Sequence, residues 1–201
     1  MHQDRLKETS CTFDIAAKAL GVPMPVVAFW AEVGVLEKAA ANDDEPRVAR
    51  ESLLSLMGNP LLHARVVGRG LTHAPAAEAV RVLVVEDDLT LRRFYQVRLA
   101  TWECRPAVRV AENGFDALLQ IGIDCPDLLI TDLDMPEIDG FALMDQLARS
   151  PLANNMAIVV VTGMSSVAAD RLPSLHERVT VLRKPVPFEV LRRIAESRLS
   201  A

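Results

Sequence analysis

Cysteine is scarce in this chain of 201 residues: Cys11, Cys104 and Cys125 are the whole complement. They are odd in number and far apart, with no zinc-site spacing and no disulfide framework, so they read as reduced thiols. Half of the residues are hydrophobic, yet no apolar run is long enough to span a bilayer. The opening Met1-His2-Gln3-Asp4-Arg5 lacks the charged and apolar regions of a secretory signal, so a cytoplasmic protein without a membrane partner is expected. Excess positive charge is missing too. The net charge of −5 supplies no overall field for nucleic acid or an anionic membrane. Neither internal repeats nor low-complexity tracts occur. The length suits one ordinary domain and a smaller second one.

What is present is a set of apolar runs, each ending on a polar residue. Arg81-Val82-Leu83-Val84-Val85 precedes Glu86 and Asp87, and Asp127-Leu128-Leu129-Ile130-Thr131 precedes Asp132. Ala157-Ile158-Val159-Val160-Val161 precedes Thr162, and Val179-Thr180-Val181-Leu182-Arg183 precedes Lys184. Such runs read as buried strands, and helical patterns at 89–101, 114–122, 139–149, 165–172 and 187–199 alternate with them. Pro173 cuts the fourth helix short. This alternation predicts a doubly wound parallel sheet. Groups at the carboxyl ends of such strands converge on one edge, where these sheets bind ligands.

The gathered chemistry suits a divalent cation and a phosphoryl group. Mg²⁺ prefers hard oxygen ligands and takes one or two carboxylates with waters and phosphate oxygens. Glu86 and Asp87 are adjacent and can both reach such an ion. Asp132 adds a carboxylate that can act as ligand and as nucleophile, because aspartates form aspartyl-phosphate intermediates. Lys184 supplies a compact charge for phosphoryl oxygens, and Thr162 a hydroxyl donor.

These residues and their surroundings closely resemble the receiver domain of two-component response regulators. The matching text is Val82-Leu83-Val84-Val85-Glu86-Asp87-Asp88, Ala111-Glu112-Asn113-Gly114, Asp132-Leu133-Asp134-Met135-Pro136-Glu137-Ile138-Asp139-Gly140, Val161-Thr162-Gly163 and Arg183-Lys184-Pro185. Five spaced elements in order, over residues ~80 to 200, are far more specific than one motif. The resemblance implies a flavodoxin-like, five-stranded parallel sheet with Asp132 as phospho-acceptor. It makes Glu86, Asp87, Asp132 and the Asp134 carbonyl the Mg²⁺ ligands, with Thr162 and Lys184 as switch and phosphate-pairing residues. A cis Lys184–Pro185 bond is implied, as is a sensor histidine kinase or phosphotransfer protein as partner, and no catalysis beyond exchange of the domain's own phosphoryl group. Family members commonly carry an aromatic residue where this chain has Val181, so an atypical switch is expected.

The bland reading makes these residues helix caps, since Asp and Thr commonly precede helices. Asp88 alone fits it, as the cap of the helix from Leu89. Asp134 stands two residues after Asp132, the spacing of a general acid in aspartyl-nucleophile phosphohydrolases. Met135-Pro136 and the lack of a cap domain argue against that alternative.

Three segments are expected: 1–57, a linker at 58–79 rich in Gly, Ala and Pro with a short helix near 61–67, and 80–201. In the first, Phe13–Leu20 reads as a helix with Thr12 as cap, followed by helices at Pro25–Val33 and Glu51–Met57. The frame Ile15-Ala16-Ala17, Leu20-Gly21-Val22, Val27, Trp30, Gly34, Leu36 and Pro46-Arg47-Val48 looks like the winged helix-turn-helix of excisionase and MerR-like proteins. That resemblance implies a small, mostly helical domain over residues ~10–57, whose second helix would enter a major groove. Its outward positions, Met24, Val26, Ala28, Phe29 and Glu32, include nothing basic, and the wing carries Asn42-Asp43-Asp44-Glu45. Over residues 1–79, eight Lys and Arg stand against ten Asp and Glu. Affinity for DNA comes largely from neutralising phosphates, and only Arg47 and Arg50 are placed for that. Two outputs stay open. The charge favours protein interaction or homodimerisation through a patch of Met24, Val26 and Phe29; a DNA-binding transcription regulator is the alternative. With Phe29 in the core beside Trp30, no such patch would exist.

Overall fold

The computed structural model describes residues 9–39, 45–62, 79–135, 140–148, 150, 154, 156–163 and 179–198. The chain divides into two compact units, Met1–His73 and Ala74–Ala201. The segment read as a linker is described only at 58–62 and at 79, so its character lies outside the described residues, as do the expected fourth receiver helix, Pro173 and residues 42–44 of the expected wing.

In the first unit, β1 (Ser10–Thr12), α1 (Phe13–Leu20), α2 (Met24–Glu32), β2 (Lys38–Ala39), β3 (Arg47–Ala49) and α3 (Arg50–Met57) follow in order. Phe13, Ala16, Ala17 and Leu20 give α1 one buried face, the i, i+3, i+4, i+7 spacing of an amphipathic helix. Gly21 ends α1 in the left-handed region, φ 68, where a side chain would be strained. The chain then turns so that α1 and α2 meet at 108°. β3 pairs antiparallel with both β1 and β2. Trp30, Leu36 and Val48 lie fully buried at the centre.

Several expectations change here. The strand at β1 was not foreseen, and Thr12 sits at the cap position of α1 without capping it through its side chain. The Phe13 amide donates instead to the Pro46 carbonyl at 3.3 Å. Val26 and Phe29 are core residues, because α2 is apolar around most of its circumference and turns these two inward. Only Met24 of the expected patch is exposed, at 54%.

The second unit comprises β4 (Arg81–Val85), α4 (Leu89–Ala100), β5 (Ala107–Ala111), α5 (Gly114–Ile123), β6 (Leu128–Thr131), α6 (Gly140–Ala148), β7 (Ala157–Thr162), β8 (Val179–Arg183) and α7 (Phe188–Ser197). Its five strands are all parallel, in the order β5-β4-β6-β7-β8. Alternate residues Val82, Val84, Leu128, Ile130, Val159 and Val161 share a core with Tyr95 and Leu99 of α4 and Leu191 and Ala195 of α7. Intervening Leu83, Leu129, Ile158 and Val160 are buried as well. Helices on both faces explain why the strands read as unbroken apolar runs. Asp88 caps α4 by accepting from the Leu91 amide at 2.8 Å, as the sequence indicated. Asn113 caps α5 through the Asp116 amide at 2.8 Å.

At the amino edge of the sheet, Arg81 binds both oxygens of Asp127 (2.7 and 3.1 Å) and reaches Asp124 at 2.9 Å. Arg109 also approaches Asp124, at 3.5 Å. This cluster ties the start of β4 to the start of β6, at the end of the strands opposite Glu86 and Asp132.

Candidate functional site

The strand register assembles the site. Val85 pairs with Thr131, so the residues that follow, Glu86 and Asp132, leave the sheet side by side, and the Asp132 amide donates to the Val85 carbonyl at 3.2 Å. On the other side Thr162 pairs with Arg183, and the Lys184 amide donates to the Thr162 carbonyl at 3.0 Å. From β4 the chain moves outward to β5, whereas from β6 it moves the other way to β7. Connections that diverge in this manner open a crevice at the carboxyl edge, and Glu86 and Asp132 flank it.

Lys184 joins the two carboxylates. Its Nζ donates to Asp132 Oδ2 at 2.6 Å and to Glu86 Oε2 at 3.4 Å. The other Asp132 oxygen, Oδ1, accepts from the amides of Leu133 (2.6 Å) and Asp134 (3.2 Å). Glu86, Asp132 and Thr162 are buried, at 3%, 7% and 2% exposure, whereas Asp87 and Asp134 face solvent. Burial pushes the Glu86 carboxyl above its ordinary range, against the opposing pull of Lys184. For Lys184, burial favours the neutral amine, but the hydrogen bond and charge of Asp132, followed by Glu86, outweigh it and raise the pKa.

Around these groups the backbone is held closely. The Arg92 guanidinium donates to the carbonyls of Glu86 (2.8 Å) and Asp87 (3.2 Å), tying the acidic pair to the first turns of α4. Gly140 packs so tightly that a Cβ would overlap the Asp132 carbonyl and the Leu133 backbone. Sequence reasoning singled out neither role. An arginine one helical turn past an acidic pair, and a glycine at the start of α6, were the available signals. The Lys184–Pro185 bond is cis, as the resemblance implied.

The donor set of Glu86, Asp87, Asp132 and Asp134 is all oxygen, which fits a hard divalent cation. Among the described residues no three such groups are arranged to hold an ion. Lys184 bridges the two buried carboxylates instead, so its ammonium supplies the positive charge between them.

In the first unit, Arg47 is engaged within its own sheet. Its guanidinium donates to Ser10 Oγ at 2.9 Å and to the Ser10 carbonyl at 3.1 Å. β1 runs beside β3 and occupies part of the donor set that a phosphate contact by Arg47 would use. Arg50 begins α3 half-buried, and its amide donates to the Thr9 carbonyl at 2.9 Å.

Fold and crevice define a flavodoxin-like α/β domain with a carboxylate–lysine pair at its topological switch point. The Response regulator receiver domain model matches residues 82–196. This chain belongs to that family, the receiver domains of two-component systems. It is 34% identical over 114 residues to "Response regulator MprA" of Mycobacterium bovis, covering 56% of this chain and 47% of that protein. Over 106 residues it is 30% identical to "Gliding motility regulatory protein" of Myxococcus xanthus, covering 53% of this chain and 13% of that one. This chain therefore spans less than half the length of these two curated relatives. Among solved structures, a response regulator receiver protein from Pseudomonas putida matches with TM-score 0.52 and 26% identity, over 59% of this chain and 97% of that one. The chemotaxis response regulator CheY4 of Vibrio cholerae shares the fold, with TM-score 0.51 and 22% identity over 58% of this chain and 98% of that one. No single described helix is long and apolar enough to cross a membrane.

Proposed function

We propose that residues 80–201 accept a phosphoryl group on Asp132 from a sensor histidine kinase or a phosphotransfer protein, in a phosphorelay. The observation that carries this reading is the Asp132 carboxylate at the switch point, held at 2.6 Å by Lys184 and flanked by Glu86. Two backbone amides fix Oδ1 and so orient the carboxylate before any donor arrives, which lowers the cost of reaching an attacking geometry. Lys184 transfers its hydrogen bonds to the incoming phosphoryl oxygens, and Thr162 donates its hydroxyl to another. Glu86, Asp87, Asp132 and the Asp134 carbonyl would hold Mg²⁺, which when bound neutralises charge on the phosphoryl group. Beyond gaining and slowly losing its own phosphoryl group, the chain catalyses nothing in this reading.

The first unit is the output module in this reading, a winged helix-turn-helix that acts by protein interaction or homodimerisation. The stripe Met24, Ala28 and Glu32 on α2 carries no positive charge, and Arg47 is committed to Ser10. Ile15, Met24 and Leu54 are exposed and are apolar side chains that this unit offers for such contact.

The test is incorporation of phosphate from a small acyl phosphate, followed by intact mass. Labelling is expected with Mg²⁺ and not with chelator, and Asp132→Asn removes it. Labelling of the Asp132→Asn variant at the original rate would overturn the assignment.

A further inference from the structure

A cavity of about 480 Å³ begins at Glu86 and Lys184 and runs between α4 and the segment that follows β8. Its walls are apolar: Leu91, Phe94 and Tyr95 on one side, Val186 and Phe188 on the other. The Phe94 and Phe188 rings meet edge to face with centroids 5.5 Å apart, and the Arg98 guanidinium lies 5.2 Å from the Phe188 centroid. Seven residues separate Leu91 from Arg98, roughly 10 Å along a helix. The groove is thus an apolar trough with an ammonium at the end nearest Asp132 and a guanidinium further along. Its volume is that of a small-molecule site, which typically spans about 300–1,000 Å³.

We infer that this groove selects the small-molecule phosphodonor: acyl phosphates with a medium-length apolar acyl chain are used in preference to acetyl phosphate. The inference rests on the proposed acceptor role of Asp132. Charge and shape point to this occupant. The dianionic phosphoryl head suits Lys184, which already donates to Asp132 and Glu86, and the acyl chain extends from it along Leu91, Phe94 and Val186. In the transfer a carboxylate oxygen of Asp132 bonds to phosphorus as the bond from phosphorus to the acyl oxygen breaks. The electron pair leaves with the acyl carboxylate, so the products are the aspartyl phosphate and a fatty carboxylate, with no proton moved. Burying rather less than half of the surface of four further methylenes in the groove would favour binding about tenfold.

The experiment measures second-order rates of Asp132 phosphorylation in the full chain with Mg²⁺, using acetyl phosphate and hexanoyl phosphate. Their leaving carboxylates are of nearly equal basicity, so the rate ratio reads the groove rather than intrinsic reactivity. The expected result is a roughly tenfold preference for hexanoyl phosphate, which falls towards one in Phe94→Ala and again in Val186→Ala. Phe94 is 47% exposed, so its truncation leaves the core in place. Equal rates with the two donors in the unaltered chain would overturn the inference and leave the acceptor role standing, with the groove then open to a helix of a partner protein. Failure of both donors to label Asp132 would remove the acceptor reading, and the inference with it.

Discussion

At the scale of single residues, Glu86 holds a position that costs stability. Its carboxyl is buried and its pKa raised, so folding favours the protonated form. The stability gained from that preference is complete below the carboxyl's ordinary range and is lost as pH rises through the folded value. At neutral pH the ionised group remains as a burden, partly offset by Lys184 at 3.4 Å. Glu86→Gln is therefore expected to stabilise the second unit at pH 7 while weakening Mg²⁺-dependent labelling. The gain should vanish below about pH 3, where Glu86 is protonated in both states. Urea unfolding at the two pH values checks this, and a destabilised variant at pH 7 would contradict it. Gly140 gives the opposite case. A methyl group there meets the backbone of Asp132 and Leu133, which cannot retreat as a side chain could. Gly140→Ala should cost about 2–4 kcal/mol, an overpacking effect, read as a fall in the urea midpoint.

At the scale of elements, the strands and their terminal residues were legible because a parallel sheet covered on both faces leaves continuous apolar runs. The polar residue ending each run then marked the carboxyl edge. Helix α2 was legible as a helix but not in its facing. Met-Pro-Val-Val-Ala-Phe-Trp-Ala-Glu has Glu32 at its last position as its single polar residue, too little to mark the outward side, and Val26 and Phe29 are buried. β1, three residues long, is too short to show a period, and it engages the Arg47 side chain through Ser10. The amino-edge cluster of Arg81, Asp124, Asp127 and Arg109 had no motif to announce it. Burial works against the Asp127 charge, but its hydrogen bonds to Arg81 and that residue's charge prevail and hold the carboxyl below its ordinary range. A lowered value contributes stability above the unfolded pKa that is lost as pH falls through the folded one. Asp127→Asn should thus lower stability at neutral pH and flatten its fall below about pH 4; an unchanged acid unfolding profile would count against the Arg81 pairing. The outward face of α2 carries a prediction of its own. With no basic residue along Met24, Ala28 and Glu32, the chain should elute from heparin below roughly 0.2 M salt, because few phosphates would be neutralised. Strong retention would return the DNA-binding reading to first place.

At the scale of the whole molecule, a signalling domain and a small module occupy one chain as separate compact units. Everything proposed for the second unit depends on one atom group, the Asp132 carboxylate between Lys184 and the paired amides. The most direct measurement reduces the phosphorylated full chain with borohydride, which converts an aspartyl phosphate to homoserine, and maps the product by mass spectrometry. The account predicts homoserine at position 132 and nowhere else, dependent on Mg²⁺ during phosphorylation. Homoserine at Asp87, Asp88 or Asp134 instead, or its absence from a chain that has taken up phosphate, would contradict it.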